Sequence, residues 1–310
     1  MKKILYGTTA LVAAGMFAGA ASAADAMKAG VSGYQHFYLI YGSQSDGAGE
    51  PAENLRNHGM RKEGEVHFKA STTMDNGVKI GWESEFEAES GTNDENNVWM
   101  SGNFGKVDFG GLWGPALLMA HQSPGSGAAW GDFANNSAFT APGAGNAITG
   151  PNSYANIVFK ALKIAYYTPR MASGVQLGVA YIPDVADAQQ SNGGFSTDNA
   201  AGASGSAYEA GINLVTKMGG SAINASAVYS KIQLEAAQAG SEDRVAWGVG
   251  ANITSGAYSF GFGYKTDNEG DTTDSDEIQW SIGATMKAGP WKYALNHVAG
   301  EDENGGGNNA

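Results

Sequence analysis

The fold is decided by the stretch Arg61-Lys62-Glu63-Gly64-Glu65-Val66-His67-Phe68-Lys69-Ala70-Ser71-Thr72-Thr73-Met74, then Asp75-Asn76-Gly77, then Val78-Lys79-Ile80-Gly81-Trp82-Glu83-Ser84-Glu85-Phe86-Glu87-Ala88-Glu89. Gly64, Val66, Phe68, Ala70, Thr72 and Met74 alternate with Arg61, Glu63, Glu65, His67, Lys69, Ser71 and Thr73. After the turn, Val78, Ile80, Trp82, Phe86 and Ala88 alternate with Lys79, Glu83, Glu85, Glu87 and Glu89. Period two puts one set in lipid or core and the other in water, whereas a helix would scatter the charges around its circumference. Asp75-Asn76-Gly77 supplies residues that tolerate positive φ, so the two strands are expected to form a tight hairpin.

The same pattern recurs outward from this hairpin. Strands are expected at 28–41, 61–74, 77–89, 98–103, 106–113, 157–167, 175–182, 207–217, 222–233, 245–254, 257–266, 277–287 and 291–298, about thirteen in all. Short connections (217–220, 255–256, 288–290) alternate with long polar ones (182–206, 234–243, 267–276), as in a barrel with tight turns at one rim and loops at the other. Residues 114–156 form one exceptional connection rich in Gly, Ala, Ser, Asn and Pro, and in a channel it could fold inward. Tyr258, Phe260, Phe262 and Tyr264 share one strand face, a length that suits an apolar membrane band.

Composition agrees. The chain has 46 Gly and many aromatics (12 Phe, 7 Trp, 13 Tyr), which suits small residues inside strands and aromatic belts outside. It has no Cys, which removes disulfides, thiolate metal sites and cysteine nucleophiles. A net charge of −13 argues against nucleic acid as a partner. At the N-terminus Met1, Lys2 and Lys3 precede an apolar run to Ala20 and the small residues Ala21-Ser22-Ala23, the pattern of a removable export signal over 1–23. Beyond it no run approaches the roughly 18 apolar residues of a spanning helix, so a membrane-bound residue set 24–310 must be a barrel.

The chain resembles the Gram-negative general porin family in its alphaproteobacterial branch. The resemblance is carried by Lys28-Ala29-Gly30-Val31-Ser32-Gly33-Tyr34, by the hairpin from Glu65 to Glu87, and by Val98-Trp99-Met100-Ser101-Gly102-Asn103-Phe104-Gly105-Lys106-Val107-Asp108-Phe109-Gly110. Lys163-Ile164-Ala165-Tyr166-Tyr167-Thr168-Pro169 and Gly174-Val175-Gln176-Leu177-Gly178-Val179-Ala180-Tyr181 extend it. It implies an all-β transmembrane antiparallel barrel of sixteen strands, a homotrimer in outer-membrane lipid, and a third loop forming a charged constriction. That loop would be residues 114–156. The family's barrels close with a C-terminal aromatic strand, whereas this sequence ends Gly305-Gly306-Gly307-Asn308-Asn309-Ala310, so about three strands are expected to be missing. Between Gly114 and Asn156 the carboxylate is Asp132 alone, fewer than the resemblance implies.

The expected function is passive diffusion of ions and small hydrophilic solutes, with no enzymatic step and no cofactor. His36, Arg61, Glu63, Glu65, His67, Lys69, Lys79, Glu83, Glu85 and Glu87 are the expected pore-lining residues, and Asp132 the constriction residue, because rings of fixed charge set ion preference. The plainer alternative is a solvated face without a selectivity role. Asp267, Glu269, Asp271, Asp274 and Asp276, like Asp302 and Glu303, offer the oxygen ligands of Ca²⁺ without the spacing of a Ca²⁺ loop, so a solvated outer loop is favoured over a metal site. His297 shares a face with Trp291, Tyr293 and Leu295 and reads as an interface residue. No zinc-protease, serine-esterase or nucleotide-binding motif occurs. A structural or adhesive barrel and a barrel lipid hydrolase are the alternatives; some thirteen strands exceed the number at which side chains fill the lumen.

Overall fold

The computed structural model describes residues 26–41, 58–124, 154–188, 193–272 and 276–302. Thirteen strands form one antiparallel sheet in sequence order: β1 (Lys28–Tyr41), β2 (His58–Thr73), β3 (Lys79–Glu87), β4 (Asn93–Gly102), β5 (Gly105–Gly111), β6 (Leu162–Tyr167), β7 (Val175–Ile182), β8 (Ser204–Met218), β9 (Ser221–Leu234), β10 (Arg244–Ser255), β11 (Tyr258–Asp267), β12 (Glu277–Ala288) and β13 (Trp291–Asp302). One helical turn, α1 (Pro115–Leu118), follows β5. The β2–β3 hairpin turns where Asn76 and Gly77 stand: the Asn76 side chain accepts from the Val78 N–H at 3.0 Å, and Gly77 sits at φ 80°.

The register sorts the two faces. Phe68 pairs across from the buried Ser84, Trp82 from Val98, Val98 from Phe109 and Phe109 from Ile164, and the apolar side chains of this row are half exposed on the outside of the sheet. Tyr181, Tyr208, Tyr229, Trp247, Tyr264 and Trp280 follow one another on β7 to β12, on the same outward face. Ring contacts tie neighbours together, with Tyr181 and Tyr208 at 5.3 Å and Trp247 and Tyr264 at 5.6 Å. This is an aromatic girdle at the rim of the long connections. Below it the outward face stays apolar to Phe262, 48% exposed, and Leu295, 80% exposed. An apolar surface running around so many strands is far larger than water-facing proteins display and is lipid-facing. No helix among the described residues is long and apolar enough to cross a membrane.

The buried core lies on the other side of the sheet. Ala116, Met119, Ala155, Ile157, Val158 and Ala161, from both limbs of the connection between β5 and β6, pack on the inward residues Ala165, Tyr167, Ala180, Ile182, Ala207, Val228, Ile232 and Ala246. The alanines among these inward residues, Ala165, Ala180, Ala207 and Ala246, leave space that the connection fills.

Several boundaries depart from the sequence reading, those around the third connection with a physical cause. The strand expected at 157–167 begins only at Leu162, because Phe159 adopts φ 43° and Ile157 and Val158 are buried against the inner wall instead of paired in the sheet. The third connection therefore runs to Ala161 rather than ending at Asn156. β5 stops at Gly111 rather than Trp113, whose ring goes to Phe159 and Lys160. β4 starts at Asn93 rather than Val98, through a register shift opposite Glu85 and Phe86 that breaks the alternation.

Candidate functional site

The inward face of β2, β3 and β4 carries a continuous charged wall. Tyr34 pairs with Glu65 and His36 with Glu63; Glu65 faces Glu87, His67 faces Glu85, Lys69 faces Glu83 and Thr73 faces Lys79. His36, Glu65, His67, Lys69, Lys79, Glu83 and Glu85 thus share one face. His67 stands between two carboxylates, its Nε2 2.7 Å from Glu65 Oε2 and its Nδ1 3.0 Å from Glu85 Oε1. Lys69 contacts Glu83 and lies 3.5 Å from Glu85. Arg61 takes its register position in β2 opposite Tyr38, with a side chain outside the described set, and Asp132 lies outside the described residues.

The sequence reading missed Asp94 and Glu95. A bulge puts two residues of one strand against one of its partner, so neighbours in sequence can turn to the same side. The register shift does this here: Glu85, Asp94 and Glu95 bring carboxylate oxygens within 4.8 Å of one another, as do Glu65, Glu87 and Asp94. Lys160, from the return limb of the third connection, contacts Asp94, lies 3.4 Å from Glu95, and stacks 4.6 Å from the Trp113 ring. Only the asparagine-rich break in alternation at 93–97 could have signalled this.

A second charged group stands on β10 to β12. Arg244 donates twice to Asp267, Nε to Oδ1 at 2.9 Å and Nη2 to Oδ2 at 2.8 Å, and reaches Glu269 at 2.8 Å. Lys265 lies 3.4 Å from Asp267 and 3.3 Å from Glu277. Asp267 and Glu269, read from sequence as potential calcium ligands, therefore engage arginine. Burial pushes the Glu269 carboxyl above its ordinary value, with the Asp267 charge adding to the shift. Asp271 bridges to Ser241, and Asp274 and Glu303 lie outside the described residues. His297 faces outward against Trp280, ring centroids 5.0 Å apart.

The outgoing limb, residues 115–124, crosses the inward face at mid-strand height. Asn213 on β8 donates to Met119 O at 3.4 Å, the His121 N–H to Ser226 Oγ on β9 at 2.6 Å, Asn252 on β10 to Gln122 O at 3.3 Å, and Ser123 Oγ to Ser281 Oγ on β12 at 3.0 Å. The segment is thus a strap over strands β8 to β12, leaving the acidic wall of β2 to β4 uncovered by it.

Among solved structures, an anion-selective porin from Comamonas acidovorans is similar at 18% identity and a TM-score of 0.56, over 89% of this chain and 80% of that one. A mutant of the Rh. blastica porin is similar at 16% identity and a TM-score of 0.54, over 90% and 86%. At such identity these likenesses bear on the fold, which is that of porin β-barrels. No curated protein sequence matches the chain. The family model described as Gram-negative porin matches residues 7–310, in keeping with the lipid-facing girdle and the charged inner wall, and the chain belongs to the Gram-negative porin family.

Proposed function

We propose that the water-filled channel formed by this porin, which passes ions and small hydrophilic solutes by passive diffusion, prefers cations. The observation that carries this is the inner wall of β2 to β4, where Glu65, Glu83, Glu85, Glu87, Asp94 and Glu95 outweigh Lys69, Lys79, Lys160 and His67. Fixed charge on a lumen wall concentrates counterions and repels co-ions. Asp132 adds to the same sign if the third connection carries it into the pore. Diffusion requires no covalent step, so the reading is a channel and not an enzyme. An outer-membrane homotrimer, with residues 1–23 removed on export, belongs to the same proposal and is supported by family membership and by the leader's residues.

The test is a planar bilayer with a KCl gradient. Stepwise conductance and a reversal potential of cation-selective sign are expected, with Glu83→Gln, Glu85→Gln and Glu95→Gln together moving that potential toward zero. Absence of stepwise conductance, or an anion-selective sign in the parent, would overturn the proposal.

A further inference from the structure

We infer that Gly250 is a positioning residue for the pore's aperture: its missing side chain is the seat of the third connection. This rests on the channel reading and adds to it the residue that sets the strap's distance from the wall. A Cβ built on Gly250 would lie 1.7 Å from the His121 carbonyl oxygen and 2.8 Å from its carbonyl carbon. Ordinary contact needs about 3.5 Å, so any side chain there must displace the His121 backbone by more than an ångström. The obstacle is main chain, which no rotamer change relieves.

The seat has two points. Gly250 pairs across from Ser226 on β9, and both face inward. Ser226 Oγ accepts the His121 N–H at 2.6 Å while the His121 carbonyl lies over Gly250, so one residue of the strap is gripped from two adjacent strands. Further along, Ser123 Oγ donates to Ser281 at 3.0 Å, and a Cβ on Gly283, two residues on, would meet first the Asn296 side chain at 1.8 Å and then Ser123 Cβ at 3.2 Å. At the start of the strap, Cβ atoms on Gly178 and Gly211 would meet the Met119 sulfur at 2.4 Å and 3.0 Å. The thioether can yield at Gly178, and at Gly211 the Pro115 carbonyl oxygen, 3.1 Å away, need give only by a few tenths of an ångström, which leaves Gly250 as the tightest approach to the strap's main chain.

Gly250 has no left-handed φ, so its strand backbone accepts an L side chain and the cost of one is the close approach alone. A side chain must push the strap toward the open lumen and narrow it.

The experiment is single-channel recording of the full chain with Gly250→Ala and Gly250→Val, against Ala251→Val on the lipid face of the same strand. Parent-like conductance for Ala251→Val is expected, with a loss of about a third for Gly250→Ala and more for Gly250→Val, and a matching slowing of neutral sugar entry into liposomes. Conductance at or above the parent's in both Gly250 variants would overturn the inference while leaving the channel reading intact. Should Gly250→Val fail to insert, Gly250→Ala alone decides by the same criterion. If neither inserts, cysteine crosslinking of His121→Cys to Ser226→Cys in the parent background decides: locking the strap in its seat is expected to leave conductance unchanged, and a changed conductance overturns the inference.

Discussion

Lys163 Nζ lies 3.4 Å from Glu209 Oε2 with neither side chain exposed. Lys163 also donates to the Phe159 carbonyl at 2.7 Å, and Gly114 lies so close to Glu209 that a Cβ there would be 1.5 Å from Oε2. One buried pair thereby touches both limbs of the third connection. Removing one partner strands a charge in a dry site, at a typical cost of about 3–5 kcal/mol. Lys163→Met should therefore destabilise the protein by about that amount, whereas Lys163→Met combined with Glu209→Leu should recover most of it. Denaturant unfolding in lipid vesicles measures both; equal destabilisation by the single and double variants would contradict the pairing.

Lys69 neutralises part of the acidic wall through Glu83 and Glu85. Its replacement by Gln removes one positive charge from beside both carboxylates, leaving Glu85 with His67 alone. The cation-to-anion permeability ratio should rise, read from the reversal potential, and the gain should shrink in concentrated salt as screening shortens. A ratio that stays fixed or falls contradicts a role for this wall.

The lipid-facing row predicts a cost that depends on depth. Phe262 is mid-strand in β11, 48% exposed and outward. Phe262→Arg should cost about 2–4 kcal/mol in bilayer-based unfolding, as charges do at the midplane of an outer-membrane barrel. The same change at Tyr258, near the turn rim, should cost about 0–1 kcal/mol. Equal costs at the two positions would place the apolar band elsewhere.

Asp243, in the connection after β9, accepts from Lys231 at 2.8 Å and from the Leu234 N–H at 3.0 Å. The hydrogen bond from Lys231, with that from Leu234, holds its carboxyl below the ordinary 3.8. A depressed carboxylate stabilises the fold fully above that ordinary value and loses the effect as pH falls through its lower folded value. Cleavage of residues 235–243 by an acid protease should accordingly rise as pH drops below the ordinary value, while Asp243→Asn should show a higher cleavage rate with no such step.

Alternation made the strands legible. Each of the thirteen expected strands is present, because a strand with lipid on one side and water on the other must repeat every second residue. The β2–β3 wall was legible for the same reason, since its charges share one parity. Legibility failed where tertiary contact replaced that rule. Ile157 and Val158 look like strand residues but serve the core inside the barrel, and Asp94 with Glu95 breaks parity through a bulge. Gly250 reads as one small inward residue among many; only the His121 carbonyl above it marks it out.

The strap also bears on the order in which the molecule is made. Every strand in the sheet pairs with its neighbours in sequence, so the wall grows by adding hairpins, each closing a short loop. The strap's bonds span 105 residues from His121 to Ser226, 130 from Gln122 to Asn252 and 158 from Ser123 to Ser281. Their partners arrive only with β9, β10 and β12 in turn, each far along the sequence from the strap. Hairpin contacts close shorter loops than the strap's bonds do, so a refolding time course should show β-structure maturing ahead of the final unit conductance.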